Sequence, residues 1–151
     1  MTLRQFISGV SGILLLAGCH DSPFFLKYDS VDSRGWESRD TIVFELPEVE
    51  TTSTYDAKLA VRTMQGYRYD NLALAVRLCE GKKVISTDTI RYQIYDDLGE
   101  HNGTGFPFVE HSEALPHKFV MQPNKKYKMK ITHIMRLDIL DGICDVGVEI
   151  N

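Results

Sequence analysis

Cys19 is the residue of this sequence whose type and position point most directly to chemistry. It follows two small residues, Ala17 and Gly18, which close a largely apolar run over residues 6–16, and Arg4 supplies a positive charge before that run. A cysteine thiolate is the side-chain nucleophile that accepts a thioether-linked lipid. The run is shorter than the roughly 20 apolar residues that cross a bilayer. It fits the apolar region of a secretory signal, about 7–15 residues long and closed by small residues.

The segment Leu16-Ala17-Gly18-Cys19 resembles a bacterial lipobox, the processing signal of lipoprotein precursors. The resemblance implies that a diacylglycerol is joined to the Cys19 sulfur, that a peptidase cuts between Gly18 and Cys19, and that the new amino group is acylated. Because each buried methylene contributes roughly 0.8 kcal/mol, two or three chains make such an anchor effectively permanent. We therefore expect residues 1–18 to be a signal peptide that is removed. An ordinary buried cysteine is the alternative, and no cofactor other than the covalent lipid is predicted.

Acidic residues near the carboxyl end raise the question of a metal site. Asp138, Asp141 and Asp145 offer oxygen ligands of the kind that calcium takes, but their spacing does not match an EF-hand loop, and Asp141-Gly142 is explained as a turn. No cysteine or second histidine lies at a zinc spacing around His133, which falls on the apolar side of an alternating segment. We predict no metal site and a hydrogen-bonded core position for His133.

Recognisable catalytic motifs are absent from the sequence. It contains no Gly-x-Ser-x-Gly elbow, no Walker loop and no dinucleotide fingerprint. Paired carboxylates such as Glu110 and Glu113 would in principle suit glycoside hydrolysis, but acids are common on surfaces. The histidines His101, His111 and His117 fall in a loop-rich region and are predicted to be solvated. The sequence therefore favours a protein that is not an enzyme.

Aromatic residues form the remaining candidate site. Tyr67 and Tyr69 follow Gly66 in a connecting loop, and Phe106 and Phe108 lie in another. Exposed rings of this kind stack on a sugar or on a partner protein. The alternative is that they cover the open ends of the fold, as large apolar groups with a polar tip do. We take Tyr67, Tyr69 and Phe106 as the predicted partner or ligand surface.

The elements that must position these residues are strands. Apolar residues alternate with polar ones over residues 55–62, 72–79 and 127–136, and such a period of two puts one face on a core and the other in water. Many short strands separated by Gly, Pro and Asn turns predict an all-β domain, an antiparallel sandwich or jelly roll. We place it at residues 28–151, after a short stalk over residues 19–27, in which Pro23 discourages a helix.

Charge and cysteine content narrow the function further. The chain has 17 Lys and Arg against 21 Asp and Glu, and removal of residues 1–18 leaves a net charge of −5. A mildly acidic chain offers no basic face for nucleic acid, and no second apolar run is long enough to span a membrane. Cys79 and Cys144 could form a disulfide if their Cα atoms lie within about 7 Å. The favoured alternative is two free thiols that pack as small apolar groups.

Several stretches together resemble the gliding-motility lipoprotein family GldH of the Bacteroidota. The resemblance spans nearly all of the chain after the signal, and its order and its Met-Arg to Asp-Val-Gly ending carry most of the specificity. The matching stretches are Gly35-Trp36 with Asp40 and Phe44, Leu59-Ala60-Val61-Arg62, Gly66-Tyr67-Arg68-Tyr69-Asp70-Asn71-Leu72-Ala73-Leu74, Asp88-Thr89-Ile90, Gly103-Thr104-Gly105-Phe106, His133-Ile134-Met135-Arg136 and Gly142-Ile143-Cys144-Asp145-Val146-Gly147.

This resemblance implies a lipid-anchored envelope protein that acts as a scaffold beside the gliding machinery and its associated secretion route. It carries over no catalytic residue, and only Cys19 is transferred as a functional position. Members also occur in Bacteroidota that do not glide, so a general envelope-assembly role is one alternative and a carbohydrate-binding sandwich is another. Residues 20–23 contain a single acid, whereas surface-exported lipoproteins of this phylum have several, so we expect a periplasm-facing protein.

Overall fold

The protein folds as twelve β-strands, and the computed structural model describes residues 22–151. These residues contain no helix, and therefore no helix that could cross a membrane. The prediction of an all-β domain is confirmed. In chain order the strands are β1 Phe25–Ser30, β2 Trp36–Glu37, β3 Ile42–Glu45, β4 Ser53–Tyr55, β5 Ala57–Met64, β6 Asn71–Glu80, β7 Lys83–Gln93, β8 Phe108–Ala114, β9 Phe119–Met121, β10 Tyr127–His133, β11 Ile139–Leu140 and β12 Ile143–Ile150.

Two four-stranded antiparallel sheets form a sandwich. The first has the strand order β1-β12-β5-β8 and the second β3-β10-β6-β7, while β2 with β11 and β4 with β9 form small ribbons. Leu59 and Val61 of the first sheet and Met129 and Ile131 of the second are fully buried in one core. The Tyr92 hydroxyl of β7 donates to the Leu59 carbonyl at 2.7 Å, so a buried hydrogen bond also joins the two sheets.

Alternation along each strand explains which side chains face the core. In β10 the side chains of Tyr127, Met129 and Ile131 are buried, whereas Lys128 and Lys130 lie half-buried on the other face. Successive side chains point to opposite faces of a strand, so burying one set turns the other towards solvent. Each fully buried aliphatic side chain contributes roughly 1.5–3 kcal/mol relative to its exposed state. The predicted strand over residues 127–136 is confirmed, although it ends at His133.

The sheet begins earlier than predicted. Strand β1 starts at Phe25, and residues 25–27 pair with residues 148–150 of β12. The predicted stalk over residues 19–27 is therefore wrong at its carboxyl boundary, because the edge of β12 offers backbone partners as soon as the chain has passed Pro23. Cys19, the predicted cleavage after Gly18 and the signal peptide lie outside the described residues and stay predictions.

All four connections at one end of the sandwich cross from one sheet to the other. They are the segments 31–41, 65–70, 94–107 and 134–142, which we call the distal end. Backbone hydrogen bonds tie these segments together and to the strands. Ile94 donates to the Asp70 carbonyl and Asn102 to the Ile94 carbonyl, both at 2.8 Å, and Met64 donates to the Gly142 carbonyl at 2.8 Å.

The opposite end carries the amino terminus of the described chain. We call it the proximal end, made of the segments 22–24, 46–56, 80–83 and 115–126. Gly81 donates to the Lys126 carbonyl at 2.8 Å, which joins two of these segments. The ten residues of β6 separate the two ends by about 30 Å, at roughly 3.3 Å per strand residue.

Replacement of the fully buried Leu59 by alanine tests the shared core. We expect Leu59→Ala to lower the free energy of unfolding by about 2–5 kcal/mol, because it leaves a cavity between the two sheets. Leu98→Ala is the matched control, since Leu98 is 87% exposed at a distal turn and should change stability by no more than about 0.5 kcal/mol. Urea denaturation followed by circular dichroism measures both, and equal effects would contradict the assigned core.

Candidate interaction surface

Arg62 is the centre of an ordered polar network on the outer face of the first sheet. It lies on β5 opposite Glu110 of β8 and Asp145 of β12. Its Nε donates to Glu110 Oε2 at 2.9 Å, and its Nη1 lies 3.9 Å from Asp145 Oδ2. The guanidinium carbon also lies 4.0 Å from the centroid of the Tyr28 ring, within the range of a cation–π contact. Three strands therefore hold one arginine, whose pKa the Glu110 hydrogen bond raises.

Tyr28 can lie over the sheet because residue 147 has no side chain. A Cβ built on Gly147 would lie 2.5 Å from the Tyr28 ring, so any other residue there would displace the ring. The Tyr28 hydroxyl donates to Glu110 Oε2 at 3.1 Å. Burial is the main cause that raises the pKa of Tyr28, and the neighbouring Glu110 carboxylate raises it further. Tyr28 and Glu110 thus fix two sides of the Arg62 side chain.

An open cleft of about 350 Å³ lies beside this network at the distal end, and we call it the Arg62 cleft. Phe106 is 88% exposed and Phe108 is 45% exposed, so two aromatic rings stand in solvent beside a fixed guanidinium. Large exposed apolar groups next to an ordered charge are typical of contact surfaces. The residues that line the cleft are Arg62, Thr104, Gly105, Phe106, Phe108 and Glu110.

The predicted aromatic surface is therefore only partly formed. Phe106 is exposed as expected, but Tyr67 is 3% exposed, so its ring is not available for stacking on a ligand. Its hydroxyl donates to the Asn71 carbonyl, and its own carbonyl accepts from the Tyr95 hydroxyl at 2.6 Å. Tyr69 is half-buried and packs edge-on against Tyr67 with ring centroids 5.5 Å apart. Tyr67 covers the distal end of the core, which was the alternative reading of this loop.

The prediction of solvated histidines is wrong for His111. It is 3% exposed, its Nδ1–H donates to the Asn102 carbonyl at 3.0 Å, and its Nε2 lies 3.2 Å from the Thr63 hydroxyl, from which it accepts when neutral. Burial is the main cause that lowers the pKa of His111. Strand β8 extends to residue 108, so His111 alternates onto the inner face instead of lying in a loop. His101 is half-buried and donates from Nε2 to the Gln65 carbonyl at 2.8 Å.

His117 is exposed as predicted, and its Nδ1 lies 3.2 Å from Asp88 Oδ1. His133 also fulfils its prediction as a hydrogen-bonded core residue, since it is 3% exposed and its Nε2–H donates to the Trp36 carbonyl at 3.0 Å. Burial lowers the pKa of His133 as well.

The carboxylates that could suggest catalysis or metal binding are separated. Glu110 and Glu113 are three residues apart on β8, so they point to opposite faces of the strand, and Glu110 is engaged by Arg62. Asp145 belongs to the Arg62 network, and Asp141 lies beside Gly35 in the distal loops. Within residues 22–151 no three Asp, Glu, His or Cys side chains are grouped closely enough to hold a metal ion.

Cys79 and Cys144 are free thiols. Cys79 lies at the proximal end of β6 and Cys144 at the distal start of β12, in different sheets. Since these strands are about 25–30 Å long at roughly 3.3 Å per residue, the two Cα atoms are far beyond disulfide range. Burial raises the pKa of Cys144, which makes its thiol less reactive.

Sequence reasoning did not find the Arg62 network. A signal existed, since Arg62 interrupts an apolar strand at an outward position. Its partners Glu110 and Asp145, however, come from strands 48 and 83 residues further along the chain. Only the register of three strands brings them together.

A family model and two similar proteins all point to the same family. The family model described as GldH lipoprotein matches residues 24–150. A protein of Flavobacterium johnsoniae named gliding motility lipoprotein GldH is 32% identical over 93% of this chain and 94% of its own length. A protein of Christiangramia forsetii named gliding motility lipoprotein GldH homolog is 30% identical over 91% of this chain and 89% of its own length.

Among solved structures, the fold is similar to the EclA C-terminal domain, a sugar-binding protein. The two chains are 13% identical with a TM-score of 0.44, and the match covers 89% of this chain and 86% of the other. A likeness at this level gives no argument about ligands.

Gly147→Ala tests the packing beneath Tyr28. We expect the new methyl group to displace the Tyr28 ring and its cation–π contact, and to lower the free energy of unfolding by about 1 kcal/mol, since overpacking outweighs the usual small gain from replacing glycine. Gly66→Ala is the control, because nothing lies within 4 Å of the Cβ position there. Thermal and urea denaturation measure both variants, and an unchanged Gly147→Ala protein would contradict the ordered network.

The two buried histidines predict how stability depends on pH. Burial favours their neutral forms, so their pKa values are lower in the folded protein than in the unfolded chain. Stability is then complete above the unfolded value of about 6.5 and falls as pH decreases from there towards the lower folded values. The double variant His111→Gln, His133→Gln should lose stability more gradually between about pH 6.5 and 5. Urea titrations at several pH values measure this slope, and an identical slope would contradict the assignment.

Proposed function

This chain belongs to the GldH lipoprotein family, and on that premise we propose that it is a lipid-anchored, non-catalytic component of the cell envelope that supports gliding motility. The observation that carries the proposal is the match over residues 24–150, together with two relatives of nearly full-length coverage that are named gliding motility lipoproteins. The lipobox-like segment ending at Cys19 supports the lipid anchor.

Its molecular role in this proposal is to hold a partner protein rather than to transform a substrate. The polar groups of the candidate surface are already committed to one another, since Glu110 accepts hydrogen bonds from both Arg62 and Tyr28. A carboxylate occupied in this way is a poor general base, because its charge is balanced and its lone pairs are engaged. A fixed arginine beside exposed aromatic rings is instead the composition that protein interfaces favour.

We place the contact with the gliding apparatus, and with the secretion route associated with it, at the Arg62 cleft. Phe106 and Phe108 would anchor the partner, and Arg62 would orient it through the face of the guanidinium that Tyr28 leaves open. The single acid in residues 20–23 supports a periplasm-facing domain.

Deletion of the gene in its own bacterium tests the proposal. We expect reduced colony spreading on agar or reduced levels of secreted proteins, restored by the wild-type gene. Cys19→Ser should fail to restore them, because without its lipid the domain leaves the membrane. A deletion strain that spreads and secretes normally would defeat the proposal.

Point variants in the restored strain then test the cleft. Phe106→Ser should fail to restore the phenotype and should lose crosslinks to its partner in intact cells. Leu98→Ser is the matched control, because Leu98 is 87% exposed, against 88% for Phe106, but does not line the cleft. Equal behaviour of the two variants would remove the cleft from the proposal while leaving the lipoprotein assignment intact.

A further inference from the structure

The two ends of the sandwich differ in charge. The four segments of the distal end carry nine acids and four bases, whereas those of the proximal end carry four acids and five bases. The distal residues are Asp32, Glu37, Asp40, Asp70, Asp96, Asp97, Glu100, Asp138 and Asp141 with Arg34, Arg39, Arg68 and Arg136. The proximal residues are Glu48, Glu50, Asp56 and Glu80 with Lys82, Lys83, Lys118, Lys125 and Lys126.

Four of the five proximal lysines are exposed, Lys125 is half-buried, and only two of the five are paired with a carboxylate. Lys118 pairs with Asp56 at 3.0 Å and Lys125 with Glu80 at 2.9 Å. Within residues 22–151, Lys82, Lys83 and Lys126 have no carboxylate within 4 Å. Their three ammonium groups are therefore available to an external anion. They lie together, since Gly81, which precedes Lys82, donates its N–H to the Lys126 carbonyl.

The proximal end also exposes apolar side chains. Phe24 is 39% exposed and stacks on Tyr55, with ring centroids 4.7 Å apart, and Tyr55 in turn lies 6.2 Å from Phe119. Val120 is 47% exposed on the outer side of the ribbon of β4 and β9. Exposed apolar groups rimmed by lysine are the composition of surfaces that rest on lipid headgroups.

The short chain between Cys19 and the domain keeps the proximal end close to the bilayer. Cys19 is five residues before Phe24, and an extended chain covers at most about 3.5 Å per residue, so the lipid-bearing sulfur lies no more than about 17 Å from the domain. The distal end lies about 30 Å further away at the strand rise of roughly 3.3 Å. If the distal end approached an anionic leaflet to within the Debye length of about 8 Å, its excess of acids would be repelled.

We propose that the proximal end, through Phe24, Val120 and the exposed lysines Lys82, Lys83 and Lys126, rests directly on the bilayer that anchors the chain. This inference rests on the lipid anchor of the proposed function and adds an orientation to it. The domain stands upright with its charge asymmetry aligned to the membrane normal, so the Arg62 cleft lies towards the end away from the bilayer, at a fixed height.

Tryptophan fluorescence in vesicles tests this orientation. The full lipidated protein is reconstituted in phosphatidylethanolamine and phosphatidylglycerol vesicles that contain phosphatidylcholine brominated on its acyl chains, which quenches only tryptophans in contact with it. Phe24→Trp and Val120→Trp place reporters at the proximal end. The native Trp36 and the variant Leu98→Trp report on the distal end, and Leu98 is the more exposed control.

We expect brominated vesicles to quench the fluorescence added by Phe24→Trp and by Val120→Trp. The fluorescence of Trp36 and the fluorescence added by Leu98→Trp should be retained. The triple variant Lys82→Glu, Lys83→Glu, Lys126→Glu should reduce the quenching at positions 24 and 120, because the repelled domain swings out on its tether. Quenching at position 98, or none at 24 and 120 while the protein floats with the vesicles, would overturn the orientation and leave the proposed function standing. Failure to float at all would overturn the lipid anchor itself, and both proposals with it.

Discussion

Burial of the inward-facing side chains between two antiparallel sheets is the constraint on which the rest of this structure depends. The chain passes repeatedly between the two sheets that cover each other, and at the distal end all four connections do so. Those crossings bring four separate segments side by side, so their backbone groups pair with one another. The end that carries the Arg62 cleft is therefore held by backbone hydrogen bonds between its segments as well as by the strands that lead to it. A contact surface benefits from such rigidity, because little conformational entropy is lost when a partner binds.

The sequence predicts those parts of the molecule that local alternation determines. The strand over residues 127–133 and the core position of His133 follow from a period of two that the structure preserves. The local pattern misplaces Tyr67 because its loop folds back over the core, a return that no local alternation encodes. It misplaces His111 because strand β8 begins at Phe108, so His111 lies in a strand and alternates onto the inner face. The distance between Cys79 and Cys144 likewise depends on which ends of two sheets the thiols occupy.

The Arg62 network also cannot be predicted from local sequence patterns. Its members are ordinary outward-facing residues in four strands, and only their register makes them neighbours. The family resemblance could be read from the sequence, because it depends on the order of short motifs. The resemblance indicates the biological process, but it does not indicate which residues contact a partner. Phe106 was found because an exposed aromatic residue in a Gly-rich loop is a local signal, whereas its companion Arg62 was not.

Pairing of the first strand with the last has a consequence for biogenesis. Phe25 lies opposite Ile150 in the register of β1 and β12, and among residues 22–151 β1 pairs with no other strand. The first sheet therefore cannot close until the last residues have emerged, and folds dominated by such non-local pairs take milliseconds to seconds to form. The first sheet of a nascent chain therefore stays incomplete until β12 is available, whereas the β6–β7 hairpin of the second sheet pairs locally.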